Sequence, residues 1–255
     1  MDILKGLALI VGGKGVDDLV DLSLQDRGRI QRRVRREPVA YILGTKEFWS
    51  LEFKVTPDVL IPRPETEGLV ASALQLFPND EPLHILELGV GSGILTIALA
   101  KERKQWRFWG TDLSDRAIAV AKSNATTHQV EDRIQWWVGR WFAGMKGRYE
   151  KGFDLIVSNP PYIAEKDMST LAPEVSQYEP RIALYGGPDG LESASHILHT
   201  APSYLKPGGW LLLEIGYDQG TAVKKLAQNR CAFDQILVEK DLAGLDRIAC
   251  FRKSS

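Results

Sequence analysis

From residue 84 to residue 252, short apolar runs alternate with longer stretches of helical periodicity, and this alternation limits the fold more than any other feature. His84–Leu88, Arg107–Thr111, Ile134–Val138, Asp154–Ser158, Trp210–Ile215, Phe233–Glu239 and Arg247–Arg252 read as strands. Helices are expected over 93–103, 115–126, 189–204 and 219–229. Strands joined through helices run parallel, and a mostly parallel sheet is covered on both faces. Only Asp241 to Asp246 separate the last two strands, too little chain for a crossover helix, so these are expected to pair as an antiparallel edge hairpin. The fold class expected is α/β, with a mostly parallel, seven-stranded, Rossmann-like sheet.

The chain before residue 84 is less regular. After Pro62-Arg63-Pro64, the acids Glu65 and Glu67 and the apolar positions Leu69, Val70, Ala73, Leu74 and Phe77 predict a helix. Residues 37–61 alternate in part, at Tyr41–Gly44 and at Phe48–Val55, and read as a β-hairpin linker. Residues 1–36 read as a short, basic, partly helical segment, with Val16, Leu19, Val20 and Leu24 near helical spacing. Within it lie Arg27, Arg29, Arg32, Arg33, Arg35 and Arg36, either a solvated helix face or a docking surface for an acidic or nucleic-acid-bearing partner. The expected division is thus 1–36, 37–61 and a main domain over 62–255.

Composition excludes several classes. The net charge of −1 gives no global basic field, so no dedicated nucleic-acid binding is expected. Cys231 and Cys250 have neither disulfide-framework nor zinc spacing. His196 and His199, three apart on an expected helix, read as a surface or core pair, and no metal site is expected. The run Leu7–Val11 is too short for a signal-peptide core or a bilayer span, so a reducing, cytoplasmic compartment is expected.

Two loops carry the chemistry. The first expected strand ends in Glu87-Leu88-Gly89-Val90-Gly91-Ser92-Gly93, where glycines let the backbone turn tightly and let a ligand approach it. The second strand leads into Asp112, 19 residues after Gly93, where a carboxylate can take both hydroxyls of a ribose. The spacing is G-x-G-x-G rather than the G-x-G-x-x-G of dinucleotide sites, and the acid Glu87 precedes it. A carboxylate there repels a pyrophosphate and suits the cationic end of S-adenosylmethionine.

The fourth strand runs into Asn159-Pro160-Pro161-Tyr162. The prolines force a stiff, extended exit from the sheet that holds an amide and an aromatic face at fixed separation. The Asn159 amide oxygen and the proline-flanked carbonyls can accept both N–H bonds of a planar NH2 group, while Tyr162 stacks on it. Catalysis of this kind works by orientation and local electrostatics. Together the two loops point to an S-adenosylmethionine-dependent N-methyltransferase. Methylation of a nucleic-acid amino group, and a non-catalytic binding module on the same fold, are the alternatives.

The chain resembles the release-factor glutamine N5-methyltransferases over nearly all of residues 37–252. The resemblance runs through Glu37–Gly44, Leu60–Glu67, the glycine loop, Asn159–Ile163, Tyr178–Pro180 with Ala183-Leu184, Gly186–Leu191, Leu213–Gly216 and Lys240–Gly244. It implies the class I S-adenosylmethionine-dependent methyltransferase fold, and methylation of the glutamine in the Gly-Gly-Gln loop of class I peptide-chain release factors. It also implies that Gly89 to Gly93, Asp112, Trp141 and Asn159 line the cofactor pocket. Asn159, Pro160, Pro161 and Tyr162 would hold the glutamine amide, and Glu179 to Gly187 would shape the loop over the site. Two departures stand out. Members usually carry a longer helical domain before the Glu37 segment, and Arg140 stands where the family typically has an aspartate that receives the adenine amino group. Arginine has no acceptor, so weaker cofactor binding is expected.

Overall fold

A computed structural model describes residues 24–145, 149 and 152–255. The expected helix around Val16–Leu24 lies almost wholly outside them, as does the run Leu7–Val11. Seven strands form one sheet: β3 (His84–Leu88), β4 (Arg107–Asp112), β5 (Ile134–Val138), β6 (Phe153–Ser158), β7 (Leu205–Glu214), β8 (Phe233–Lys240) and β9 (Asp246–Lys253). Their order is β5-β4-β3-β6-β7-β9-β8. The first five in that order are parallel, and β9 runs antiparallel to both β7 and β8. The antiparallel edge hairpin is therefore present as expected.

Successive side chains of a strand point to opposite faces, so one buried strand feeds two cores. Ile85 of β3 and Leu155 and Val157 of β6 pack with Leu95, Leu99 and Trp106 on one face. Leu86 and Leu88 of β3 and Ile156 of β6 pack with Ile197, Leu198 and Phe251 on the other. The covering helices are α3 (Glu67–Leu76), α4 (Ile94–Glu102), α5 (Asp115–Thr127), α8 (Glu192–Thr200) and α9 (Gly220–Gln228). Two short helices, α6 (Glu165–Met168) and α7 (Pro173–Ser176), lie in the connection after β6.

The N-terminal part departs from expectation in one place. Tyr41–Gly44 is not extended: Val39–Leu43 forms a short helix, α2, between Pro38 and a left-handed Gly44 whose N–H bonds the Ala40 carbonyl. This shape buries Val39, Tyr41 and Ile42, and the Tyr41 hydroxyl donates to the Val59 carbonyl at 2.6 Å. A hairpin follows, β1 (Thr45–Phe48) and β2 (Leu51–Lys54), in antiparallel register. Trp49 and Ser50 at its tip both have positive φ, the turn that matches strand twist. The Trp49 N–H donates to Glu67 and its indole N–H to Glu102, which fixes the tip on α3 and α4.

The arginine cluster lies on and just beyond helix α1 (Leu24–Val34) and is not a uniformly solvated face. Arg33 is buried and pairs with Glu174, which also takes Arg36, while Arg32 pairs with Glu37. Only Arg27, Arg29 and Arg35 lack a described ion pair.

Candidate active site

The carboxyl ends of β3, β4, β5 and β6 converge on one cavity of about 610 Å³. That size suits a nucleoside-bearing cofactor. Ligands of open α/β sheets bind outside the carboxyl ends of the strands, where two neighbouring strands lead away in opposite directions. Here β3 and β6 are those neighbours.

The glycine loop leaves β3 through left-handed backbone at Gly89, Gly91 and Gly93. At Gly93 a side chain is excluded twice over. Its φ is +83°, and a Cβ would sit 3.1 Å from both the Ala121 Cβ and the Ile97 Cδ1, where α4 crosses α5. A Cβ on Gly91 would meet nothing within 4 Å, so backbone faces open cavity there. The Asn124 side chain ties the loop to the hairpin: it donates to the Ser92 carbonyl and exchanges two hydrogen bonds with Lys54. Val90 lines the cavity from the same loop, and Trp141 lines it opposite Gly89. The Trp141 indole N–H is buried with no partner among the described residues.

Glu87 and Asp112 reach the cavity beside the glycine loop, and Asp58 and Glu192 line it elsewhere. Glu87 is 2% exposed and accepts the Thr96 N–H at 2.9 Å. Burial, with Asp112 nearby, pushes its carboxyl up to about 8 against the pull of Thr96, so at neutral pH it is largely protonated. Asp112 is not free in the way the sequence suggested. Its Oδ2 accepts the Gly91 N–H and its Oδ1 the Ser114 N–H, each at 2.9 Å. Burial raises its pKa, and these two donors oppose the rise. Each oxygen keeps acceptor capacity for a hydroxyl.

The turn after β6 begins beside this loop, because the Ser158 hydroxyl donates to the Leu88 carbonyl at 2.6 Å. Asn159 and Pro161 line the cavity; Pro160 is buried, and neither it nor Tyr162 forms part of the wall. Tyr162 instead directs its hydroxyl to Glu214 Oε1 at 3.3 Å, and its carbonyl accepts the Gln219 amide. The Asn159 Nδ2 donates to Thr66 Oγ1 at 3.0 Å, and Thr66 donates to Glu214 Oε2 at 2.7 Å. No described residue donates to Asn159 Oδ1. Sequence reasoning gave Thr66 and Glu214 no role. The available signal was Glu214 itself, an acid directly after the apolar run Trp210–Leu213, much as Glu87 follows Ile85 and Leu86 on β3.

Residues 180–186 form a further wall. Glu179, buried beneath it, accepts the Ile61 N–H and pairs with Arg63, which joins this wall to the segment before α3. Gly186 is required by close approach: a Cβ would lie 2.7 Å from Tyr162 Cα and 2.8 Å from the Pro161 carbonyl. Arg140 sits at the cavity rim, 60% exposed, with Nη2 3.1 Å from Glu192 Oε1. Its charge is paired with the first residue of α8, which lines the same cavity.

A methyltransferase small-domain family model matches residues 70–175. The release factor glutamine methyltransferase of Coxiella burnetii is 46% identical over 224 residues, covering 88% of this chain and 78% of that protein. The protein of the same name from Geobacter sulfurreducens is 45% identical over 222 residues, covering 87% and 75%. A methyltransferase crystal structure from Pyrococcus furiosus superposes with a TM-score of 0.61 at 20% identity, covering 88% of this chain and 99% of that one, and shares the fold. The sheet order and this match give the class I methyltransferase fold, and at such identity over most of both chains the protein belongs to the release factor glutamine methyltransferase family.

Proposed function

We propose that this chain methylates the side-chain amide nitrogen, N5, of the glutamine in the Gly-Gly-Gln motif of class I peptide-chain release factors, in the cytoplasm, using S-adenosylmethionine. The observation that carries the reading is the state of Asn159. Its NH2 end is engaged by Thr66, while its carbonyl end has no described donor on a residue that lines the cavity. Such a group accepts one N–H bond of a planar amide. A backbone carbonyl of the proline turn supplies the second acceptor in this reading, and Pro160, Pro161 and Tyr162 stiffen the turn that sets their separation. Two acceptors on one NH2 group hold its nitrogen in a fixed place and raise its electron density.

The residues present fit the cofactor. When bound, S-adenosylmethionine supplies a methyl group on a cationic sulfur, which a neutral nitrogen can accept without a strong base. Gly89, Val90, Gly91 and Ser92 offer backbone along the cavity wall, while Gly93, expected there too, instead packs where α4 crosses α5, and a buried Glu87 becomes ionised when a cation is placed beside it. Asp112 retains acceptor capacity for ribose hydroxyls, and the flat face of Trp141 suits a base. No described helix is long and apolar enough to cross a membrane.

Incubation with labelled S-adenosylmethionine and either a release factor or a structured RNA separates this reading from nucleic-acid methylation. Label is expected in the release factor alone. Label in RNA alone would favour the other amine.

A further inference from the structure

We propose that Thr66 and Glu214 are positioning residues that fix which end of the Asn159 amide faces the reactants; this rests on the methyl-transfer reading above. The oxygen and nitrogen ends of an asparagine amide are nearly the same size, so packing cannot choose between them and only hydrogen bonds can. Asn159 Nδ2 lies 3.0 Å from Thr66 Oγ1, and Thr66 Oγ1 lies 2.7 Å from Glu214 Oε2.

A threonine hydroxyl has one hydrogen to give. Glu214 accepts that hydrogen on Oε2 and the Tyr162 hydroxyl on Oε1. Thr66 is then left presenting lone pairs to Asn159. Only the NH2 end can answer them, so Oδ1 is turned the other way. Burial raises the Glu214 pKa and Glu65 adds to the rise, while the two hydroxyls and the Arg247 charge oppose it.

The three partners come from the turn Pro64–Thr66, the end of β7 and the end of β6, and Thr66 and Glu214 are separated by 148 residues of chain. The polarity of the acceptor is thus set by tertiary structure. With the hydroxyl gone, the inverted amide presents a donor to a substrate NH2 group, and an inverted molecule cannot hold it.

The test compares T66V, T66S and wild type. Valine is isosteric with threonine but has no hydroxyl; serine keeps the hydroxyl and loses the methyl group. T66V is expected to lower kcat for release-factor methylation by about 10- to 100-fold, the worth of one hydrogen-bonded orientation. Its Kd for S-adenosylmethionine should stay within about twofold, and T66S should recover most of the rate. The Asn159 side-chain amide protons, followed by 15N-resolved NMR, should be protected from solvent exchange in wild type and T66S and exposed in T66V.

Wild-type kcat and protection in T66V, or T66S as slow as T66V, overturns the proposal. An order Val above Ser would mark a packing role. If wild type itself transfers no methyl group, the methyl-transfer reading has failed, and the exchange data still decide how the amide is oriented. If T66V does not fold, E214L removes both oxygens that can accept the Thr66 hydrogen. The same loss of kcat and protection is expected there, and unchanged values overturn the proposal.

Discussion

Glu87→Gln should make the folded chain more stable at neutral and alkaline pH. The Glu87 carboxyl is held near 8 in the folded state, against an ordinary value of 4.5. A raised folded-state value means that the native state favours the proton. Its stabilising effect is therefore complete below about pH 4.5 and is lost as pH climbs through 8. Each pK unit is about 1.4 kcal/mol, so the cost of Glu87 relative to low pH is about 3 kcal/mol at pH 7 and about 5 kcal/mol above pH 9. Glutamine keeps an oxygen for the Thr96 N–H and has no proton to lose. Urea denaturation from pH 5 to 9, without cofactor, reads the difference directly. The gap between wild type and E87Q should widen by several kcal/mol as pH rises. Parallel curves would refute the assignment of a protonated, buried Glu87. Adding S-adenosylmethionine should release close to one proton per site at pH 7, measurable as a buffer-dependent binding enthalpy, and E87Q should release none.

Asn159→Ala should cost on the order of 10²–10³ in kcat with the cofactor Kd nearly unchanged, and wild-type turnover would rule out its role. Asp112→Ala should weaken S-adenosylmethionine binding in calorimetric titration, because it removes both the acceptor for a ribose and the anchor of the Gly91 and Ser114 N–H groups. Gly186→Ala should lower stability by more than about 1 kcal/mol in thermal unfolding, since its Cβ would strike backbone of the Asn159 turn rather than a mobile side chain. Arg140→Ala breaks only an exposed ion pair with Glu192, so stability should change by less than about 1 kcal/mol.

The main sheet was legible because each buried strand is short, apolar and bounded by turn residues. The expected helix at 115–126 became Asp115–Thr127, with Ser114 capping it through the Ala117 N–H. Strand β7 was legible only in its second half. It begins at Leu205, but Pro207, Gly208 and Gly209 read as turn signals, and its pairing with β6 is irregular between Phe153 and Leu155. Helix α2 was missed because five residues do not complete two turns, and Val39 and Tyr41 fit alternation as well as they fit a helix.

Within the site, Glu87, Asp112 and Asn159 were recognisable as polar residues ending or following apolar strands. Tyr162 was assigned to stacking, yet its hydroxyl reaches the carboxylate of Glu214. That partner lies 52 positions further along the chain, and no local pattern announces such a pair. The Arg140 departure raised an expectation of weak cofactor binding. In the structure its guanidinium pairs with Glu192 at the cavity rim, a partner that no spacing rule could supply.

The most direct measurement is tandem mass spectrometry of a release factor after incubation with the chain and S-adenosylmethionine. One added methyl group on the glutamine of the Gly-Gly-Gln motif is expected, absent when that glutamine is replaced. A methyl group elsewhere, or an unmodified glutamine despite cofactor binding, would contradict the proposed reaction.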